Sequence, residues 1–459
     1  MTRFITFALA VALSAQSVLV AGASQKCSPT QKCPSSAPCC SLYGECGSGA
    51  YCLGGCDMKS SFAVDSCVPM PACKSKTYNW DDLSSVAPNT KYLGDAGKAD
   101  WVSSGEPKSA GGNLLLTMAP STVGTLLGHN HYMWYGKATA KLKTSRGRGV
   151  VTAFILMSDA KDEIDFEFIG ADLSTAQTNY YYQGITDYTH GKNQSLSNTF
   201  DEYHTYEIDW KPEKITWSID GQAIRTLDRD STMNETTNQY NYPSTPARVQ
   251  LSLWPAGLST NGEGTIAWAG GLVDWKSEDI QKNGYYYAIF DSVSIECYDP
   301  PKSAKVEGSK AYAYTDDSGT EGSVKITDDS TILKSFLGNG KDKNKDYPSP
   351  TKGGSNPPRP TEVAVIPGLS GAGPGLDGKR PGDGDNGNNG NNGNNGNNGN
   401  NGGSGGNGGS NPSAPQQSGF TQGPVGGDGN SSGASAPGDQ VLQGSLFAVF
   451  IAIMALVTL

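Results

Sequence analysis

Histidine is nearly absent from this 459-residue chain, with four in all, and lysine plus arginine reach only 35 against 45 acidic residues. The formal net charge of -10 leaves no basic stripe to neutralise phosphate, which argues against nucleic acid and anionic membrane partners. His129, His131, His190 and His204 lack metal-ligand spacing on a shared strand face, so neither metal nor cofactor is expected. His204 reads as a packed residue rather than a base. Long segments with a 3.6-residue apolar period are missing too, which argues against a helical architecture. An uncharged polymer such as a polysaccharide suits an acidic protein of this kind.

Continuous apolar runs occur only at the two ends. Arg3, the run Phe4 to Val20 and then Ala21-Gly22-Ala23 form the three regions of a secretory signal, expected over 1–23. At the other end, 441–459 is apolar with no Lys or Arg after it, and is preceded by small residues at Asn430-Ser431-Ser432-Gly433. Small site, polar spacer and apolar tail predict a glycosylphosphatidylinositol anchor, with Asn430 as attachment residue and 431–459 removed. The expected location is outside the cell, at the membrane or in the wall. Export suits the ten cysteines, nine of them between Cys27 and Cys73 and one at Cys297. The sequons at Asn193 and Asn234 are expected glycosylation sites.

Between these ends, 24–73 is Cys-dense and poor in large apolar side chains, so disulfides must hold it together. Only 74–300 can build a sizeable core. Its short alternating runs, such as Gly149 to Met157, Glu163 to Phe168, Tyr206 to Trp210 and Val249 to Leu253, are separated by turn signals like Asp220-Gly221. They predict an all-β sandwich. From 301 to 430 the chain turns polar, then Pro-rich, then runs through Asn-Asn-Gly triplets from Asn388 to Gly402. That composition predicts a low-complexity, disordered stalk.

The chemistry lies in Glu163-Ile164-Asp165-Phe166-Glu167. Strand alternation puts Glu163, Asp165 and Glu167 on one face and Ile164, Phe166 and Phe168 on the other. Strands rarely favour acidic residues, and three on one face repel. That repulsion raises the proton affinity of at least one, giving an acid beside an ionised nucleophile. Retaining glycosidases need such a pair about 5–5.5 Å apart. Residues four apart on an ideal strand are about 13 Å apart at Cα, so alternation alone leaves the spacing open.

Asp162-Glu163-Ile164-Asp165-Phe166-Glu167 resembles the signature of family 16 glycoside hydrolases, whose fold is a curved, concanavalin-like jelly-roll β-sandwich. The resemblance implies Glu163 as nucleophile, Glu167 as general acid/base and Asp165 as their helper. Gln250 to Gly257 and Gly264 to Gly271 resemble the fungal Crh-type branch, which implies chitin as donor and β-glucan as acceptor. It also implies Arg248, Trp254 and Thr265 beside Glu167 at the donor sugar. Tyr132, Trp134, Tyr180 and Tyr182 are weaker stacking candidates, and Trp210 and Trp217 suit core or cleft equally. Cys27, Cys33, Cys39-Cys40, Cys46 and Cys52 resemble a hevein-like chitin-binding module (family 18 carbohydrate-binding), with Ser41, Tyr43 and Tyr51 as sugar contacts. Glu45 stands where that module has its third aromatic. A purely structural disulfide knob remains open, as does a pairing of Cys73 with Cys297. Three functions stay open at this level: a retaining chitin–glucan transglycosylase, an endo-hydrolase of chitin or β-glucan, and a non-catalytic wall-binding protein.

Overall fold

The computed structural model describes residues 25–348. The expected signal at 1–23, the Asn-Asn-Gly run, Asn430 and the tail at 441–459 lie outside the described residues. Among the described residues no helix is long and apolar enough to cross a membrane.

The alternating runs pair into two eight-stranded sheets. The first comprises β1 (Val86–Pro88), β2 (Trp101–Ser104), β3 (Thr125–His129), β4 (Val150–Ser158), β5 (Glu163–Ile169), β6 (Thr175–Tyr181), β7 (Lys192–Ser195) and β8 (Ala247–Pro255). Its order is β7-β6-β5-β4-β8-β3-β2-β1, antiparallel except for the parallel β1–β2 pair. The second is built on Gly136–Lys143, which lies between His204–Trp210 and Tyr286–Cys297. Two short helices complete the sandwich, α1 (Glu263–Trp268) and α2 (Glu278–Asn283). The protein is thus an all-β jelly roll.

Every residue of β4 and β5 is buried. A strand covered on both faces belongs at a sheet centre, and the Val-, Ile- and Phe-rich β4 has the side chains for it. Ile164, Phe166 and Phe168 enter the core between the sheets. There Phe166 lies 6.4 Å from both Phe154 and Phe168, and Tyr206 meets Phe168 edge-on at 4.6 Å. Trp210 and Trp217 are fully buried in the same core, their indole N–H groups donating to Pro243 O and Asp165 O. Ile208 is fully buried there as well. Ile208→Val should therefore cost about 1 kcal/mol in chemical denaturation, with the same folded-state spectrum.

The cysteines pair as Cys27–Cys40, Cys33–Cys46, Cys39–Cys52, Cys56–Cys67 and Cys73–Cys297. The last joins the two ends of the sandwich, 224 residues apart in sequence.

The stalk expected from 301 does not begin there. Lys305–Val306, Ala311–Tyr314 and Val324–Thr327 form a small sheet with Met70–Pro71, at the end of the Cys-rich segment. Leu333 and Phe336 are buried, and Leu333 packs with Tyr51, Cys52 and Leu53. Polar composition misled because few apolar residues suffice when a neighbouring disulfide unit supplies the surface they cover.

Candidate active site

Unbroken register builds a lattice of side chains on the face of the first sheet that points away from the core. On β4, β5, β6 and β8, directly paired residues share a face, so four rows run across the strands. Glu163 lies in line with Met157, Arg248 and Tyr181. Asp165 lies with Ile155, Gln250 and Asn179. Glu167 lies with Ala153, Ser252 and Gln177, and the next row holds Ile169, Val151 and Trp254. No bulge interrupts β5 between Glu163 and Glu167. Strand curvature and lean of the side chains must therefore bring the two carboxyl groups onto one sugar ring.

Asp162 fixes the start of β5. One of its carboxylate oxygens accepts from Ser244 N, Thr245 N and Thr245 Oγ1, and the other from Gln183 N. From the opposite side of the strand, Trp217 holds Asp165 O at 3.0 Å. These contacts lock the backbone that carries the acids.

The three acids are at most 1% exposed. Burial raises Glu163 well above the ordinary carboxylate range, and the charges of Asp165 and Glu167 raise it further. Asp165 is also raised by burial, opposed by a hydrogen bond with Glu163 and by the Arg225 charge. Glu167 is raised by burial and then by Asp165. Both Glu167 oxygens lack a hydrogen-bond partner among the described residues. The arrangement can hold a proton beside an ionised carboxylate.

A carboxyl whose folded pKa is raised contributes stability that is fully present below its unfolded pKa and lost as pH rises through the folded value. Asp165→Asn should consequently stabilise the fold at pH 7, by on the order of 1 kcal/mol or more. The gain should vanish near pH 4, where the parent acids are protonated. Thermal melts at both pH values check this.

The register separates the residues that the resemblance grouped beside Glu167. Arg248 sits in the Glu163 row, two strands away, and its guanidinium lies 6.0 Å from the Tyr132 ring centre. Trp254 lies one row beyond Glu167. Thr265 is buried on α1 with its hydroxyl unpartnered among the described residues. That helix is tied to the Glu167 end by Trp268, whose Nε1 donates to Gln177 Oε1 at 2.9 Å. Trp268 lies 6.2 Å from Trp254.

Several stacking candidates face elsewhere. Tyr180 is in the inter-sheet core against His190, and Trp134 is in the same core. Tyr181, paired with Glu163, is the tyrosine on the acidic face. Tyr132, by contrast, lines the cavity shared by Arg248, Gln250 and Trp254, its hydroxyl donating to Asp159 Oδ1 at 2.6 Å, while Tyr182 accepts from Gln183 Nε2. His204 belongs to the second sheet and contacts Asp220 and Ser197. Gln177, Asn179, Gln250 and Ser252 were not legible as site residues, because only strand register puts them beside the acids.

In the Cys-rich segment, Ser41 Oγ accepts from Tyr43 N and Glu45 N, and Glu45 pairs with Lys26 at 3.0 Å. Burial, opposed by Arg248, pushes the Tyr43 hydroxyl up to about 12. Ser41, Tyr43 and Tyr51 line one cavity together with Arg248, Gln250 and Trp254. Asn193 is exposed on β7, and Asn234 is half-buried.

Residues 96–270 match the family described as Glycosyl hydrolases family 16. Crh-like protein 2 of Aspergillus fumigatus is 56% identical over 376 residues, covering 81% of this chain and 85% of that protein. Congo red hypersensitive protein 2 of Saccharomyces cerevisiae is 48% identical over 323 residues, covering 70% of this chain and 69% of that protein. A solved structure titled "Crh5 transglycosylase in complex with NAG" is 31% identical, with a TM-score of 0.46, and covers 56% of this chain and 95% of that one. The chain is an enzyme of glycosyl hydrolase family 16 and belongs, within that family, to the Crh-like proteins.

Proposed function

We propose that the protein is a retaining transglycosylase that takes chitin as donor and a β-glucan as acceptor, so joining two wall polymers. One observation carries this reading: Glu163, Asp165 and Glu167 share one face of a buried, unbroken strand, where proximity and lack of water raise their proton affinity.

In the first step a Glu163 oxygen attacks the anomeric carbon. The glycosidic bond breaks as Glu167 gives its proton to the departing oxygen. Asp165, hydrogen-bonded to Glu163 when one of them is protonated, orients the nucleophile and takes up proton density as its charge changes. In the second step an acceptor hydroxyl attacks the glycosyl–Glu163 ester while Glu167 removes its proton, releasing Glu163 as carboxylate. Two inversions leave the configuration retained. Trp254, Arg248 and Thr265 are assigned to the sugar, Trp254 by stacking and the other two by polar contact.

The disulfide framework and the match to a hevein-like pattern support a chitin-facing role for Ser41, Tyr43 and Tyr51. The signal at 1–23 and the anchor pattern at Asn430 support a secreted protein, lipid-anchored at the cell membrane or passed to the wall.

Incubating chitopentaose with a fluorescent laminari-oligosaccharide, with products read by mass spectrometry, should give labelled chains enlarged by N-acetylglucosamine units. Unlabelled, shortened chito-oligosaccharides alone would mean hydrolysis instead.

A further inference from the structure

The carboxylates that must touch sugar have almost no accessible surface, and the Cys-rich segment packs on the same face of the sheet, over the strand next to theirs. Leu42, 5% exposed, joins a buried cluster with Val151, Ala153, Ile155, Met157, Trp254 and Trp268. Four of these residues, Val151 to Met157, are the acidic-face side chains of β4, next to the catalytic strand. The loop carrying Leu42 is bonded through Leu42 N to Gly55 O at 2.9 Å. Gly55 N in turn donates across to Asp159 Oδ1, also at 2.9 Å. At Gly54 an added Cβ would lie 2.6 Å from Arg248 Nη1, so the backbone itself lies against that guanidinium. Asp57 and Lys161 close the contact with an ion pair of 2.7 Å, both largely buried.

We propose that the Cys-rich segment is a reversible plug in the catalytic cleft, and that a chito-oligosaccharide must displace it to reach Glu163 and Glu167. This rests on the transglycosylase reading of the cleft. Docking is mutual masking. The Ser41, Tyr43 and Tyr51 edge, which would hold sugar in a hevein-like unit, lines the same cavity as Arg248 and Trp254. While the two are together neither can accept a polymer. Release need not unfold either part, because four disulfides hold the plug internally. Cys73–Cys297 anchors its base to the sandwich, and Met70–Pro71, paired with Ala311–Tyr312, holds that base in the small sheet.

A plug in equilibrium with the open form lowers apparent donor affinity by the open fraction and leaves the open form's turnover intact. Leu42→Asp puts a charge into the apolar contact. It should lower the KM for chitopentaose by about threefold or more with kcat nearly unchanged, in a full chain whose melting curve matches the parent's. Lys161→Met, which removes the ion pair from the sandwich side, should act in the same direction and serves if Leu42→Asp does not fold. An unchanged or raised KM in the folded variant would overturn the plug. Amide hydrogen exchange reads docking without activity: adding chitopentaose to the parent should speed exchange at Gly55 N, which is held by Asp159. Unaltered or slowed exchange there overturns the proposal. Should the parent transfer no sugar, the functional reading fails, and the exchange result still decides whether the segment undocks.

Discussion

Glu163→Gln loses transfer activity by on the order of 10⁴-fold or more, measured with chitopentaose and a labelled glucan acceptor, while its melting temperature at pH 7 equals or exceeds the parent's. Both halves follow from one placement. The carboxylate is the only group in its row able to form the glycosyl ester, since Met157 and Tyr181 are its paired neighbours and an amide oxygen is a poor nucleophile. The same carboxylate is buried beside two other acids, so an uncharged isostere relieves repulsion and desolvation. A residue whose loss abolishes activity and leaves stability intact or raised is held in place for chemistry. A large drop in stability would mean that Glu163 is a structural partner.

Glu167→Ala should cost about 10²–10⁴-fold with natural donors. The loss should shrink for a chito-oligosaccharide carrying a nitrophenolate, a leaving group that departs without a proton. Glu167 also deprotonates the acceptor in the second step, so with the activated donor this variant should release nitrophenol in a burst and then slow down. Equal losses with both donors would remove Glu167 from the acid role. The acid role also fixes the sign of the pH response in the parent. Activity falls on the acid side as Glu163 takes a proton and on the alkaline side as Glu167 loses one. Both limbs should lie above those of an ordinary exposed carboxylate, because burial raises both groups.

The acidic face was legible from alternation alone: Phe166 and Phe168 needed a core, and Glu163, Asp165 and Glu167 then had to face the other way. The neighbours of those acids were not legible. Alternation within one strand gives parity, but Asn179 and Gln250 meet Asp165 only through cross-strand register. For the same reason Tyr180 was expected at the cleft, whereas the pairing of Glu163 with Tyr181 turns Tyr180 inward. The Cys-rich segment was readable as a disulfide unit because cysteine spacing is local. Its seat on the cleft was not, because it depends on a single leucine, one ion pair and a glycine amide contributed from distant parts of the chain. The folded stretch from 305 to 327 was equally hidden, its strands being too short to show a period.

That Glu163 carries the sugar between donor and acceptor is tested most directly by peptide mass spectrometry of the enzyme quenched in acid during turnover. Glu167→Ala with the nitrophenyl chito-oligosaccharide lets the ester accumulate. The expected result is a chitosyl mass on the peptide containing Asp162 to Phe168, fragmenting to Glu163 and disappearing when Glu163 is replaced by Gln. A burst of nitrophenol with no adduct at Glu163, or with the adduct on another residue, would contradict it.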